Sequence, residues 1–194
     1  MLNQSFGALE WTQKEADIIE AYYPHAKIYT QENATVENLM SIANPKILHI
    51  ATHGFYLDDK SISNSLEKSG LALNGASQAK KVGDTRGIVT ALSLSTLNLT
   101  HTDLVVLSAC ETGLGDVHNF DSVSSLANAF IQAGGKNVIM SLWKISDEAT
   151  SQLIQSFYAM IAQGKNYKDA LREAKLTMLE QDPFYWSALA LHGV

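Results

Sequence analysis

The sequence predicts an α/β fold: a mainly parallel β-sheet flanked by helices on both faces. Three apolar runs, at 46–53, 103–110 and 136–143, are continuous in character instead of alternating, which is how strands covered on both faces read. Segments with helical spacing lie between and around them. Strands that alternate with helices imply βαβ crossovers, hence a parallel sheet.

Taken in order, residues 12–22 open on a capping threonine, Thr12, and place Ala16, Ile19 and Tyr23 on one helical face. A short strand is expected at 26–30 after Pro24. A second helix is expected over 35–42, stopped by Asn44 and Pro45. The run 46–53 is then a buried strand that ends at His53 and is halted by Gly54. Residues 58–87 are polar and glycine-bearing, with one apolar piece at 70–73, and read as a long active-site loop carrying a small strand or hairpin. The run 103–110 is the second buried strand and ends at Cys110. A helix at 122–133 stops at Gly134 and Gly135, and the third strand covers 136–143. Long helices follow at 147–163 and 167–180, with a last strand at 186–191.

Composition narrows the function classes. The 194 residues, 46% hydrophobic and 18% charged with 3 prolines, suit one folded domain over 1–194. The formal charge of -6, with scattered lysines, offers no footprint for nucleic acid. No run approaches the roughly 18 apolar residues of a membrane span, and the N-terminus has no export signal, so no membrane partner is expected. One cysteine cannot form an internal disulfide, which fits a reducing, cytoplasmic setting and leaves the thiol free. No phosphate-binding glycine motif and no Cys/His cluster is present, so neither a cofactor nor a metal is expected. His49 and His53 mimic a helical metal pair, but on a strand four residues span roughly 13 Å, too far for one ion.

Ligands of open α/β sheets bind beyond the carboxyl ends of the strands. Two predicted strands end there in His53-Gly54 and in Ser108-Ala109-Cys110, which puts an imidazole and a thiol at one sheet edge if the strands are neighbours. A free thiol, with a pKa of about 8.5, needs an adjacent base before it attacks well, and His53 can serve. The amides of Gly54 and Cys110 would be the oxyanion donors, with glycine at 54 leaving room for a reacting carbonyl. A third group to orient His53 is not identified by the sequence; Asp58, Asp59 or a backbone carbonyl could serve. A solitary cysteine is more often a small buried hydrophobe, and a solitary histidine is more often structural. The structural reading is given to His25, His49, His101, His118 and His192.

His53 lies upstream of Cys110 at close to the separation of about 50 residues found in caspases, though Ser108-Ala109-Cys110-Glu111-Thr112-Gly113 departs from the caspase Gln-Ala-Cys signature. The blocks at 47–54, 104–113, 133–143, 147–150 and 183–186, in this order, resemble the CHAT domain family. These are caspase-like domains, related to separases and often found after tetratricopeptide repeats. The resemblance implies a caspase-like α/β sandwich and a cysteine endopeptidase acting on protein substrates, with His53 and Cys110 as the catalytic dyad. It places Ser141, Leu142 and Trp143 on the strand that pairs with substrate backbone. It also implies a tetratricopeptide-repeat region or regulatory partner, from which this domain would be an excised part; that loss and the long polar loop from Asp58 to Gly87 predict low activity on its own. The residues 119–122, where the family often has Gly-Glu-Gly, are a departure. Asp147 follows the spacing seen in separases, which cut after arginine, and so is expected to select Lys or Arg; as a residue at a helix start it is explained equally well by capping and the helix dipole. A non-catalytic interaction module on the same fold is the rival reading.

Overall fold

The computed structural model describes residue 6 and residues 9–57, 59–78, 86–109 and 120–193. Its main sheet has four strands, β1 (Ile47–Ala51), β5 (Leu104–Ser108), β6 (Asn137–Ser141) and β7 (Leu189–Gly193), in the order β1-β5-β6-β7. The β1–β5 and β5–β6 pairs are parallel and the β6–β7 pair is antiparallel. A second sheet, antiparallel throughout, is formed by β2 (His53–Tyr56), β3 (Ser69–Ala72) and β4 (Ile88–Thr90) in the order β2-β3-β4.

The alternation of side chains along each strand divides the core in two. Leu48, Ile50, Val105, Leu107, Val138 and Met140 face one way, onto α2 (Val36–Met40), α4 (Ala91–Leu94) and α5 (Phe120–Gln132). Leu104, Val106, Ile139 and Leu189 face the other way, onto α6 (Asp147–Ala162) and α7 (Tyr167–Leu176), with Ile19 and Tyr23 at the end of α1 (Glu10–Tyr22) packing at the rim. Helices cover both faces of a mainly parallel sheet, as expected of a caspase-like sandwich. Among the described residues no helix is long and apolar enough to cross a membrane.

Several local expectations are corrected. Helix α1 begins at Glu10, with Leu9 in the N-cap position; Thr12 lies inside the first turn and donates to the Leu9 carbonyl at 2.9 Å, so it is not the cap. The expected strand at 26–30 is absent: Ile28 and Tyr29 are exposed and the segment joins no ladder, since β-forming side chains need a partner strand to bury them. In α2 the Thr35 hydroxyl does cap, accepting from the Asn38 amide at 3.2 Å. The strand expected over 46–53 stops at Ala51. The Thr52 amide donates to the Ser108 carbonyl, its hydroxyl donates to the Ala72 carbonyl of β3, and His53 starts the second sheet. Residue 52 therefore passes the chain from one sheet to the other.

The loop expected over 58–87 carries α3 (Ser65–Lys68) and the buried central strand β3. Gly70 lies opposite Phe55, and a Cβ there would sit 2.2 Å from the Val89 carbonyl oxygen and 2.6 Å from the Phe55 ring. Helix α5 starts two residues before the pattern suggests. It ends at Gln132, and the turn that follows passes through Gly134, whose φ of +103° and approach to the Thr100 backbone require glycine. Strand β6 stops at Ser141, short of Trp143, and α7 ends at Leu176, short of 180. The last strand is shifted: α8 (Pro183–Trp186) occupies the beginning of that segment, with Pro183 in its first turn, and β7 follows.

Two predictions follow from this packing. Gly70→Ala forces β3 away from β4 and the Phe55 ring, and should destabilise the protein by about 1–3 kcal/mol, read as a lowered urea midpoint. Burial raises the phenol pKa of Tyr158, Tyr23 and Tyr167 above the ordinary value, with the Glu15 charge adding to the rise at Tyr158. Above about pH 10 the unfolded chain releases tyrosine protons that the folded chain still holds. Their contribution is full below that pH and is lost as the pH climbs toward the folded values. Stability should fall with alkali, and Tyr158→Phe should flatten the fall.

Candidate functional site

The β1–β5 ladder runs in register from Ile47 opposite Leu104 to Ala51 opposite Ser108. Both strands point the same way, so the chain leaves them side by side at one end of the sheet. On the β1 side Thr52 leads into His53; on the β5 side Ala109 leads toward Cys110. The two strands are therefore the neighbours that the sequence argument required. Cys110 itself, Gly113, His118 and Asn119 lie outside the described residues, as does Asp58.

His53 is half-buried at the start of β2, and the Phe6 ring lies against it with 5.6 Å between ring centres and a 40° tilt. Gly54 is buried in β2 opposite Leu71, so it belongs to a strand and does not terminate one. A cleft opens beside His53, lined by Thr52, Ser108, Glu15, Asp147 and Thr150. Leu9, Trp11 and Thr12, from the start of α1, complete its wall and leave about 20 Å³ of free space. That is room for about one water and too little for a substrate side chain.

Asp147 is the first residue of α6, half-buried, and shares the cleft with His53. The capping role falls to Ser146, whose hydroxyl accepts from the Ala149 amide at 3.2 Å. Asp147 is thus not the N-cap. Its carboxylate remains favourable at a helix N-terminus.

Ser141, Leu142 and Trp143 are placed differently. Ser141 is buried opposite Leu189 and its hydroxyl donates to the Trp143 carbonyl. The Leu142 amide donates to the Ala188 carbonyl at 2.9 Å, and the Trp143 indole donates to the Phe184 carbonyl at 2.9 Å. All three are tied to β7 and α8 and do not line the cleft. Asp59 is exposed, and its carboxylate accepts from the amide and hydroxyl of Ser61 at 2.8 and 2.6 Å, which hold it below the usual carboxylate range. Those bonds form a local turn.

The sequence reading missed Glu15. It is 2% exposed, and its two oxygens accept from the Ser108 hydroxyl at 2.8 Å and from His49 Nε2 at 2.9 Å. On its other side His49 Nδ1 meets the Tyr158 hydroxyl at 3.0 Å. Burial keeps Tyr158 in its phenol form, so the order that satisfies every partner has Tyr158 donating to Nδ1 and Nε2–H donating to the carboxylate. A buried carboxylate without such donors would cost several kcal/mol. His49 is thereby structural, as expected. The signal for Glu15 was available: residues 15, 19 and 23 follow the four-residue spacing of one helix stripe, and an acid on that stripe must be paired. Among the described residues no group of three or more His, Cys, Asp or Glu could hold a metal ion.

The mouse protein Tetratricopeptide repeat protein 28 is 29% identical to this chain over 110 residues, which is 55% of this chain and 4% of that protein. The chain thus spans a small part of that relative. The family model described as CHAT domain matches residues 1–194. With its whole length matched and helices on both faces of a mainly parallel sheet, the chain belongs to the CHAT domain family.

Proposed function

We propose that the chain is a cysteine endopeptidase that cleaves selected protein substrates through Cys110 and His53. The observation that carries this reading is the parallel β1–β5 pair, from whose adjacent ends the chain leads directly to His53 and Cys110. His53 takes the thiol proton and the thiolate adds to the scissile carbonyl carbon. The resulting oxyanion is held by the amides of Gly54 and Cys110. Collapse breaks the C–N bond as His53 returns the proton to the leaving amine. Water, deprotonated by His53, then hydrolyses the thioester and restores the thiol. No step requires a metal or an organic cofactor. The free thiol suits a reducing compartment such as the cytoplasm.

Asp147 is the specificity residue in this reading. Its carboxylate shares the cleft with His53, and a Lys or Arg side chain preceding the scissile bond would form a charge-assisted hydrogen bond with it. The free space of about 20 Å³ supports low activity in the isolated chain, with a repeat region or regulatory partner opening the cleft. Ser141, Leu142 and Trp143 would pair with substrate backbone only after such a rearrangement, since the Leu142 amide is already bonded to Ala188.

Cys110→Ala should abolish cleavage of a peptide library while leaving the melting temperature unchanged, and His53→Ala should lower kcat by at least about a hundredfold. Turnover that survives either substitution refutes the dyad, whereas a wild type that cleaves nothing leaves the interaction-module reading. Asp147→Asn should lower kcat/KM for Lys and Arg peptides by about tenfold or more and leave apolar peptides unaffected. A wild-type preference for apolar residues at that position would remove the specificity role.

A further inference from the structure

We propose that Glu15, carried by the N-terminal helix, is a positioning residue for the dyad: through Ser108 it sets the relative placement of the two strand ends that lead to His53 and Cys110. The inference rests on the peptidase reading for its chemical consequence and on its own geometry for the rest.

Ser108 is the last residue of β5, with only Ala109 between it and Cys110. Its hydroxyl is held by Glu15 at 2.8 Å, and its carbonyl accepts from the amide of Thr52 at 3.3 Å. Thr52 directly precedes His53 and is itself fixed by its hydroxyl to Ala72 of the second sheet. One hydrogen-bonded path therefore runs from Glu15 through Ser108 to Thr52 and touches the chain just before each member of the dyad. The other oxygen of Glu15 is braced by His49 in the middle of β1, and His49 is braced by Tyr158 of α6. The carboxylate thus joins β1 and β5 near the end where the chemistry is placed, and it lines the same cleft as His53.

Anchoring α1 does not by itself call for an acid. Ile19 and Tyr23, further along the helix, pack against the apolar core, and an apolar side chain at position 15, matched by apolar residues at 49 and 108, would extend that contact without burying a carboxylate. A charge-assisted bond supplies what an apolar contact cannot: a directional restraint on one hydroxyl. Nucleophile–base pairs tolerate little displacement, so loosening the end of β5 would be felt first as lost communication between thiol and imidazole.

The test uses the whole 194-residue chain, whose one cysteine makes alkylation by iodoacetamide a reading of Cys110 alone. The rate is measured against pH for wild type and for His53→Ala, Glu15→Gln, Glu15→Asp, Ser108→Ala, the double variant Glu15→Gln/Ser108→Ala and Met178→Ala. The wild-type midpoint should lie below the ordinary thiol value of about 8.5, and His53→Ala should raise it toward that value. Glu15→Gln should raise the midpoint as well and slow alkylation at pH 6.5 about tenfold, with Glu15→Asp recovering part of the loss. The double variant should be no slower than Glu15→Gln, because both changes remove the same link. Met178→Ala, a truncation in the core that does not line the cleft, should lower the melting temperature and leave the pH profile in place, which separates positioning from a general loss of stability. A folded Glu15→Gln protein with the wild-type profile overturns the proposal. If that variant does not fold, Ser108→Ala decides by itself, and a wild-type profile there overturns it equally. A silent His53→Ala would overturn the dyad and the proposal together, an outcome distinct from silence at Glu15 alone.

Discussion

The parallel ladder between β1 and β5 is the constraint on which the rest of this structure depends. Five consecutive residue pairs, from Ile47 with Leu104 to Ala51 with Ser108, place two chain exits beside each other. A slip of one residue would turn Leu48, Ile50, Val105 and Leu107 away from the α4–α5 side of the core and expose them to the wrong layer. Register is thus enforced by the hydrophobic core, while its consequence appears at the sheet end, where His53 and Cys110 follow. The same burial that stabilises the sheet sets the spacing of the groups proposed to react.

The second constraint is polar. Glu15, His49, Tyr158 and Ser108 link α1, β1, α6 and β5 in one buried network. Such a network is favourable only when every member is satisfied, since a partly satisfied one is worse than an apolar core. Here both carboxylate oxygens and both imidazole nitrogens have partners. Glu15 and Asp147 both line the cleft beside His53. Asp147 is the carboxylate proposed to meet a basic side chain there. The narrowness of the cleft, with Leu9, Trp11 and Thr12 in its wall, is the observation behind the proposed low activity of the isolated chain.

The small antiparallel sheet explains why His53 is held firmly although it lies outside the main sheet. Once Thr52 crosses over, β2 pairs with β3 along its whole length, and Gly70 lets the Phe55 ring lie directly on the backbone opposite. The histidine is thereby supported by an independent ladder. The small sheet meets the main sheet through Thr52 and through the core that Leu71 and Val89 share with Leu48 and Ile50.

The order of α and β elements was legible in the sequence because buried strands are short apolar runs and amphipathic helices repeat every three to four residues. The runs at 46–53, 103–110 and 136–143 needed no tertiary information to be found, and neither did the placement of His53 and Cys110 just beyond two of them. The sequence could not show that residue 52 changes sheets, because Thr52 and His53 continue the β-compatible pattern and only the Ser108 and Ala72 carbonyls divide it. Nor could it show that Ile28 and Tyr29, apt for a strand, would find no partner. Asp147 and Ser146 are equally good caps by composition, and only the path of the backbone gave the cap to Ser146 and the cleft to Asp147. Glu15 was visible on a buried stripe, but its partners lie 34, 93 and, through His49, still further residues away. Local spacing determined the elements and the identity of the chemical groups, because periodicity and strand ends are short-range properties. Tertiary structure alone decided which groups meet, because hydrogen bonds between α1, β1, β5 and α6 exist only once the two faces of the sheet are covered.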